Sequence, residues 1–148
     1  MDAEKKIKTL QMFYAAALAD TVFRYGKEGI LEKITQEKAA EQMNTAKVMA
    51  QRFGIEKAEQ AFEKTQELYG CADWKIEGVE NGFSAHNNSC MLCNISKKMG
   101  KYSPCQVYCL GPIKAMISAV DPESSFEVSE TLWESNRCSV SVKKKDTK

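Results

Sequence analysis

The chain has 148 residues, of which 43% are hydrophobic and 28% are charged, and its formal net charge is +1. This length fits one ordinary domain with a core of its own, here residues 1–148. The balanced charge and the lack of any long apolar segment predict a cytoplasmic protein that binds neither nucleic acid nor membranes.

Residues 1–70 are predicted to form a helical half. Apolar residues recur at steps of three and four in three segments, which stop at Gly26, Gly54 and Gly70. We expect all three stripes to pack into the core, while the small residues of the second also permit a homodimer. The stripes are Ile7, Leu10, Tyr14, Ala17, Thr21 and Tyr25; Ala39, Met43, Ala46, Ala50 and Phe53; and Ile55, Ala58, Phe62, Thr65 and Tyr69.

A first β-hairpin is predicted in the stretch "WKIEGVENGFSAH", because its centre, Asn81-Gly82, is a strong signal for a two-residue turn. With these two residues as the loop, Glu77 lies directly opposite His86. One face of the hairpin is then apolar and should be buried. Its residues are Trp74, Ile76, Phe83 and Ala85.

Two short helices are predicted next. Ser89 can cap a helix that runs to about Met99. Ser103-Pro104 has the residue types of the N-cap and first position of another. Gly111-Pro112 should kink or restart this second helix, since proline cannot donate a backbone hydrogen bond.

A second hairpin is predicted near the end of the chain. A three-residue loop, 134–136, pairs Leu132 with Cys138 and Val128 with Val142, so that the apolar residues of both strands share one face. Residues 71–143 thus hold the sheet and the inserted helices, and residues 144–148 are expected to be a frayed tail. The predicted fold class is α+β, with amphipathic helices followed by an antiparallel sheet of two hairpins.

Four of the six cysteines lie close together, in the two inserted helices. In a reducing compartment, clustered cysteines indicate a metal site or a reactive thiol more often than disulfides. Their spacing, C-x2-C-x11-C-x3-C, would place four thiolates on two short elements, as zinc or an iron–sulfur cluster requires. The candidate ligands are Cys90, Cys93, Cys105 and Cys109.

A nucleophilic or redox thiol is the second interpretation of the cluster. Cys105 falls in the first turn of the helix that Ser103-Pro104 opens, where unpaired N–H groups and the helix dipole stabilise a thiolate. His86, oriented by Glu77 across the hairpin, would act as acid or base. A third interpretation is that the cysteines are small buried hydrophobes. The residues leave all three open.

The segment "CMLCNISKKMGKYSPCQVYCLGPIKAMISAVDP", followed by "ETLWESNRCSVSV", resembles the L-2-amino-thiazoline-4-carboxylic acid hydrolase-like proteins and, more distantly, the 4-vinyl reductase type of small-ligand domain. The resemblance implies helices packed on an antiparallel sheet, with a ligand pocket between the layers. It also implies that Cys105 or Cys109 is a nucleophile, with Cys138 in the final strand.

From this resemblance we expect a domain that binds a small molecule and hydrolyses a C–N or C–S bond of an amidine- or thiol-containing substrate through a cysteine thiolate. The alternative is a module without enzymatic activity, in which the cysteine cluster binds zinc or an iron–sulfur cluster or senses oxidants.

Overall fold

The structure, a computed structural model, describes residues 1–145 and confirms the α+β class. Its helices are α1 (Ala3–Lys27), α2 (Leu31–Phe53), α3 (Ala58–Tyr69), α4 (Met91–Met99) and α5 (Gly111–Val120), the last preceded directly by a π-helical turn (Gln106–Leu110). Its strands are β1 (Lys75–Val79), β2 (Gly82–Asn87), β3 (Ser124–Glu130) and β4 (Cys138–Lys144). No helix in this part of the chain is long and apolar enough to cross a membrane.

The two hairpins join into one antiparallel sheet of order β1-β2-β4-β3. Phe62 of α3 lies at the centre of the face that the helices cover, and it is fully buried. Its ring centroid lies 4.9 Å from that of Trp74, 5.9 Å from that of Phe83 and 6.3 Å from that of Phe126. This aromatic cluster fixes α3 to the sheet and leaves the opposite face of the sheet to solvent.

The predicted stripe of α1 is not its core face. Ile7 and Leu10 are 55% and 66% exposed, and the helix, which packs against α4, buries smaller side chains instead. The stripe of α2 is buried only in part, since Met43 is 58% exposed. The third stripe is buried as predicted from Ile55 to Thr65, whereas its last residue, Tyr69, is only partly buried. The buried residues of α1 and α2 are Ala15, Ala19, Val22, Ala46 and Ala50.

The register of the first hairpin differs from the prediction. The loop is formed by Glu80 and Asn81, so Glu77 pairs with Ser84, and the predicted pairing of Glu77 with His86 is wrong. Gly82 is the first residue of β2, and β4 approaches it so closely that a Cβ there would lie 2.0 Å from the carbonyl oxygen of Val142. The predicted buried face is nevertheless correct, because a shift of two residues leaves every side chain on its own side.

The second hairpin also pairs two residues away from the predicted register. Val128 pairs with Val140 and Phe126 with Val142, and an irregularity follows Val128 in β3. The connection covers residues 131–137, and it is ordered by the Glu134 carboxylate, which accepts hydrogen bonds from Thr131. The apolar residues of both strands share one face, as predicted.

Lys144 ends β4, so the predicted tail starts inside a strand; residues 146–148 lie outside the described part.

Gly111-Pro112 produces the predicted break as a widened helical turn. Pro112 has no N–H to offer the preceding turn, and the Gly111 N–H bonds to the carbonyl of Gln106, five residues back. A Cβ on Gly111 would lie 2.4 Å from that carbonyl oxygen. Cys109 lies within this widened turn.

Candidate functional site

Three cysteines from the two inserted helices form a chain of sulfur atoms, which we call the three-sulfur chain: Cys90, Cys93 and Cys105. Cys90 is the N-cap of α4, where its Sγ accepts a hydrogen bond of 3.5 Å from the Cys93 backbone N–H. The Sγ of Cys93 lies 3.4 Å from the Sγ of Cys105. All three residues are buried, with Cys93 in the middle.

The loop that leads into α4 is held by the side chain of Asn87, which is 1% exposed. Its Oδ1 accepts hydrogen bonds of 2.9 Å from the Asp73 N–H and 3.3 Å from the Ser89 N–H. An isolated bridge between Ala72 and Cys90 joins the same two segments. Together these bonds fix where α4 begins and therefore where the Cys90 thiol points.

The second helix begins as predicted. The Ser103 hydroxyl accepts a hydrogen bond of 3.2 Å from the Cys105 N–H, and the helical backbone starts at Cys105 after the buried Pro104. The thiol of Cys105 therefore sits in a first turn, whose backbone N–H groups have no helical partners of their own. Both outer members of the three-sulfur chain thus lie at helix N-termini.

The central thiol lowers the pKa of its two neighbours. Hydrogen bonding with the Cys93 thiol lowers the pKa of Cys90 to about 7 and the pKa of Cys105 to about 7, against the opposing effect of burial. The same two contacts, together with burial, raise the pKa of Cys93. A thiol has one proton to donate, so Cys93 stabilises one thiolate at a time. We therefore expect one thiolate in the three-sulfur chain near neutral pH.

The remaining cysteines favour the protonated form. Burial raises the pKa of Cys71 to about 11 and that of Cys138 to about 11. Burial also raises the pKa of Cys109, although part of its side chain faces a pocket. Cys138 faces inward as predicted, and its Sγ accepts a hydrogen bond of 3.2 Å from the Leu132 N–H.

A pocket of about 350 Å³ opens between α1, α2, α3 and α5, and three thiols lie on its wall. These belong to Cys71, Cys90 and Cys109. A second cavity of about 10 Å³, roughly the space of one water molecule, lies beneath it. Cys90 and Cys109 line both cavities, whereas Cys93 and Cys105 line only the small one.

The wall of the large pocket is mainly apolar and aromatic, and none of the described residues on it is charged. Tyr14 and Tyr69 stack at one side, with ring centroids 5.3 Å apart. Further polar atoms come from a few neutral side chains, which are Gln42, Thr45, Thr65, Gln66 and Tyr108. Such a wall suits a small organic molecule with few polar groups.

The structure brings three of the four predicted metal ligands into the three-sulfur chain and places Cys109 on the wall of the small cavity. Within residues 1–145, no group of three or more His, Cys, Asp or Glu side chains is placed to hold a metal ion. Zinc and an iron–sulfur cluster stay predictions, which elemental analysis of the purified protein would test.

The predicted acid–base pair lies away from the cysteines. His86 lies on the outer face of the sheet, where its Nδ1 is 3.0 Å from the Ser139 hydroxyl and its strand neighbour is Lys75. Glu77 is exposed on the same face and pairs with Ser84. Neither side chain lines the two cavities that the cysteines share.

The N-cap position of Cys90 was missed, because Ser89 was expected to cap α4. The signal was present in "CMLC", a C-x-x-C motif directly before a helical pattern. In such motifs at a helix N-terminus the pKa of a cysteine is commonly lowered.

Comparisons of the chain with protein-family models, curated proteins and solved structures found no match. The family resemblance therefore stays a prediction.

Proposed function

We propose that this protein binds a small, mostly apolar molecule in the large pocket and hydrolyses a C–N or C–S bond in it, with the Cys90 thiolate as nucleophile. The observation that carries the proposal is the position of Cys90, which is both the N-cap of α4 and part of the pocket wall. A thiolate at that position faces a bound molecule directly.

The choice of Cys90 differs from the expectation of Cys105 or Cys109. Cys105 borders only the small cavity, so a substrate in the large pocket does not reach it. Cys109 faces the pocket, but burial raises its pKa, and the same holds for Cys71. Among the pocket cysteines, Cys90 alone has a lowered pKa.

The chemistry of the wall favours an amidine without a carboxylate. Aromatic side chains on the wall, among them Tyr14 and Tyr69, can attract a delocalised cation, and no positive side chain is present on the described wall to pair with an acid group. Burying an unpaired carboxylate there would be costly. We therefore expect 2-amino-2-thiazoline to be a better substrate than its 4-carboxylate.

The reaction would proceed in two steps. The Cys90 thiolate attacks the carbon of the protonated amidine, the ring C–S bond breaks, and the freed sulfur takes up the proton that the amidine carried. Water then attacks the resulting isothiourea, the C–S bond to Cys90 breaks, and the product leaves as a urea that carries a thiol. One proton of the water stays on the urea and the other leaves to solvent, so Cys90 is again a thiolate.

Turnover is measured with a chromogenic thiol reagent, which detects the thiol that ring opening releases. Cys90→Ser should lose turnover and the covalent adduct seen by intact mass spectrometry. Cys71→Ser, which alters another thiol of the same pocket, should keep both. Full turnover by Cys90→Ser would exclude this mechanism, and a preference for the 4-carboxylate would contradict the proposed substrate class.

A further inference from the structure

We propose that the three-sulfur chain also reduces organic hydroperoxides, and that the oxidising equivalent passes from Cys90 to a disulfide between Cys93 and Cys105. This activity uses the same Cys90 as the proposed hydrolysis but does not depend on it. The hydroperoxide is the oxidant, and an external dithiol is the reductant that closes the cycle.

The order of the three sulfur atoms carries this inference. Cys90 faces the large pocket, while Cys93 and Cys105 lie behind it and are absent from the described wall of that pocket. Cys93 contacts both of the others: its backbone N–H donates a hydrogen bond to the Cys90 sulfur, and its own sulfur lies against the Cys105 sulfur. An oxidant in the pocket therefore meets Cys90 first, and Cys93 is the group placed to react with it next.

The inner pair needs little movement to form a disulfide. Its sulfur atoms are 3.4 Å apart, and a disulfide bond is about 2.05 Å long. Cys93 lies in the first turn of α4, and Cys105 begins the helical segment that continues into α5. The loop between these helices contains Gly100 and is partly exposed, so it can adjust to the approach.

The first step forms an S–O bond. The Cys90 thiolate attacks the distal oxygen of the hydroperoxide, the O–O bond breaks, and the alkoxide takes a proton from water in the pocket and leaves as an alcohol. Cys90 is then a sulfenic acid. The Cys93 thiol then attacks the Cys90 sulfur, its proton leaves with the departing hydroxide as water, and a Cys90–Cys93 disulfide forms.

The second disulfide restores the pocket thiolate. Cys105 loses its proton, which neutralises the hydroxide formed in the first step; the Cys105 thiolate attacks the sulfur of Cys93, the first disulfide breaks, and Cys90 leaves as a thiolate. The sum is one hydroperoxide and two thiol groups converted to one alcohol, one disulfide and one water. The small cavity, which Cys90, Cys93 and Cys105 all border, has room for about one departing water molecule.

The test treats the reduced full-length protein anaerobically with one equivalent of cumene hydroperoxide, blocks free thiols, and maps disulfides by peptide mass spectrometry. We expect one equivalent of cumyl alcohol and a disulfide between Cys93 and Cys105. In Cys105→Ser the reaction should stop at a Cys90–Cys93 disulfide, and in Cys93→Ser at a Cys90 sulfenic acid that dimedone traps. Ser84→Ala, on the outer face of β2 and on the wall of neither cavity, should behave as the unmodified protein.

Cys90→Ser should slow alcohol formation at least roughly tenfold, because burial raises the pKa of Cys71 and of Cys109, the other two thiols on the described wall. If this variant forms the Cys93–Cys105 disulfide at the unmodified rate, the relay is wrong. It is equally wrong if oxidation of the unmodified protein falls on Cys71 or Cys109. Cys105→Ser separates the two proposals, since it should lose the final disulfide and keep the hydrolysis of 2-amino-2-thiazoline.

Discussion

The sulfur atoms of Cys93 and Cys105 lie 3.4 Å apart, although they belong to two helices separated by a loop. The contact exists because both helices begin at the same place, next to the inner face of β2 and β4. Asn87 and Cys138, which pair across these strands, line the same small cavity as the two sulfurs. The sheet thus sets the position of both helix N-termini, and these set the chemistry of the cysteines.

The first prediction concerns the pH at which Cys90 reacts. Its pKa is lowered to about 7, so the rate of alkylation by iodoacetamide should rise through that pH and level off above it, since the thiolate is the reactive form. Cys71 should react fast only in alkaline solution, because its pKa is raised to about 11. Peptide mass spectrometry after timed quenching measures both rates in one sample.

The variant Cys93→Ala tests the cause of this shift. It removes the thiol that stabilises the Cys90 thiolate, so the midpoint for Cys90 should move up towards about 8.5, the ordinary value for cysteine. An unchanged midpoint in this variant would show that the helix N-terminus alone lowers the pKa. A midpoint near 8.5 already in the unmodified protein would contradict the assignment of Cys90 as nucleophile.

Phe62→Ala should be among the most destabilising substitutions in the chain. The ring is fully buried and contacts three other aromatic rings, so we expect a loss of about 3–5 kcal/mol in the free energy of unfolding. Urea denaturation followed by circular dichroism measures the loss. Phe13→Ala is the matched control, because that ring is 61% exposed, and it should change stability by less than about 0.5 kcal/mol.

Local signals in the sequence were sufficient for most element ends. Gly54 and Gly70 stop α2 and α3, and the Ser103 hydroxyl caps the helix that starts after Pro104. Each of these features depends on the backbone preferences of one or two residues, which act before any tertiary contact forms. The inward position of Cys138 likewise follows from the simple alternation of a strand.

Features that depend on neighbouring elements were not predictable in the same way. In α1, alanines occur on every side of the helix, so the larger apolar residues such as Leu10 indicated a face that no other element covers. The pair Asn81-Gly82 indicated a turn, but Gly82 lies in β2, where the close approach of β4 leaves room for glycine and not for a Cβ. The pocket depends on how four helices meet, and no single segment encodes that arrangement.

The role of Gly82 leads to a paired prediction on stability. Gly82→Ala places a Cβ 2.0 Å from the Val142 carbonyl oxygen, so β2 and β4 must move apart, and we expect a loss of about 2–3 kcal/mol. Gly78→Ala, in β1 of the same hairpin, meets no atom within 4 Å and should be neutral or slightly stabilising, since glycine weakens a strand. Equal melting temperatures for the two variants would contradict the register of β2 against β4.

Asn87→Ala should change both the stability of the protein and the reactivity of Cys90. The substitution leaves the N–H groups of Asp73 and Ser89 without their acceptor, which should lower the free energy of unfolding by about 1–3 kcal/mol. Because the same bonds position the start of α4, the alkylation rate of Cys90 at neutral pH should fall as well. Ser84→Ala, on the outer face of β2, serves as the control and should change neither quantity. A destabilised Asn87→Ala protein with normal Cys90 reactivity would show that Asn87 supports the fold without orienting the nucleophile.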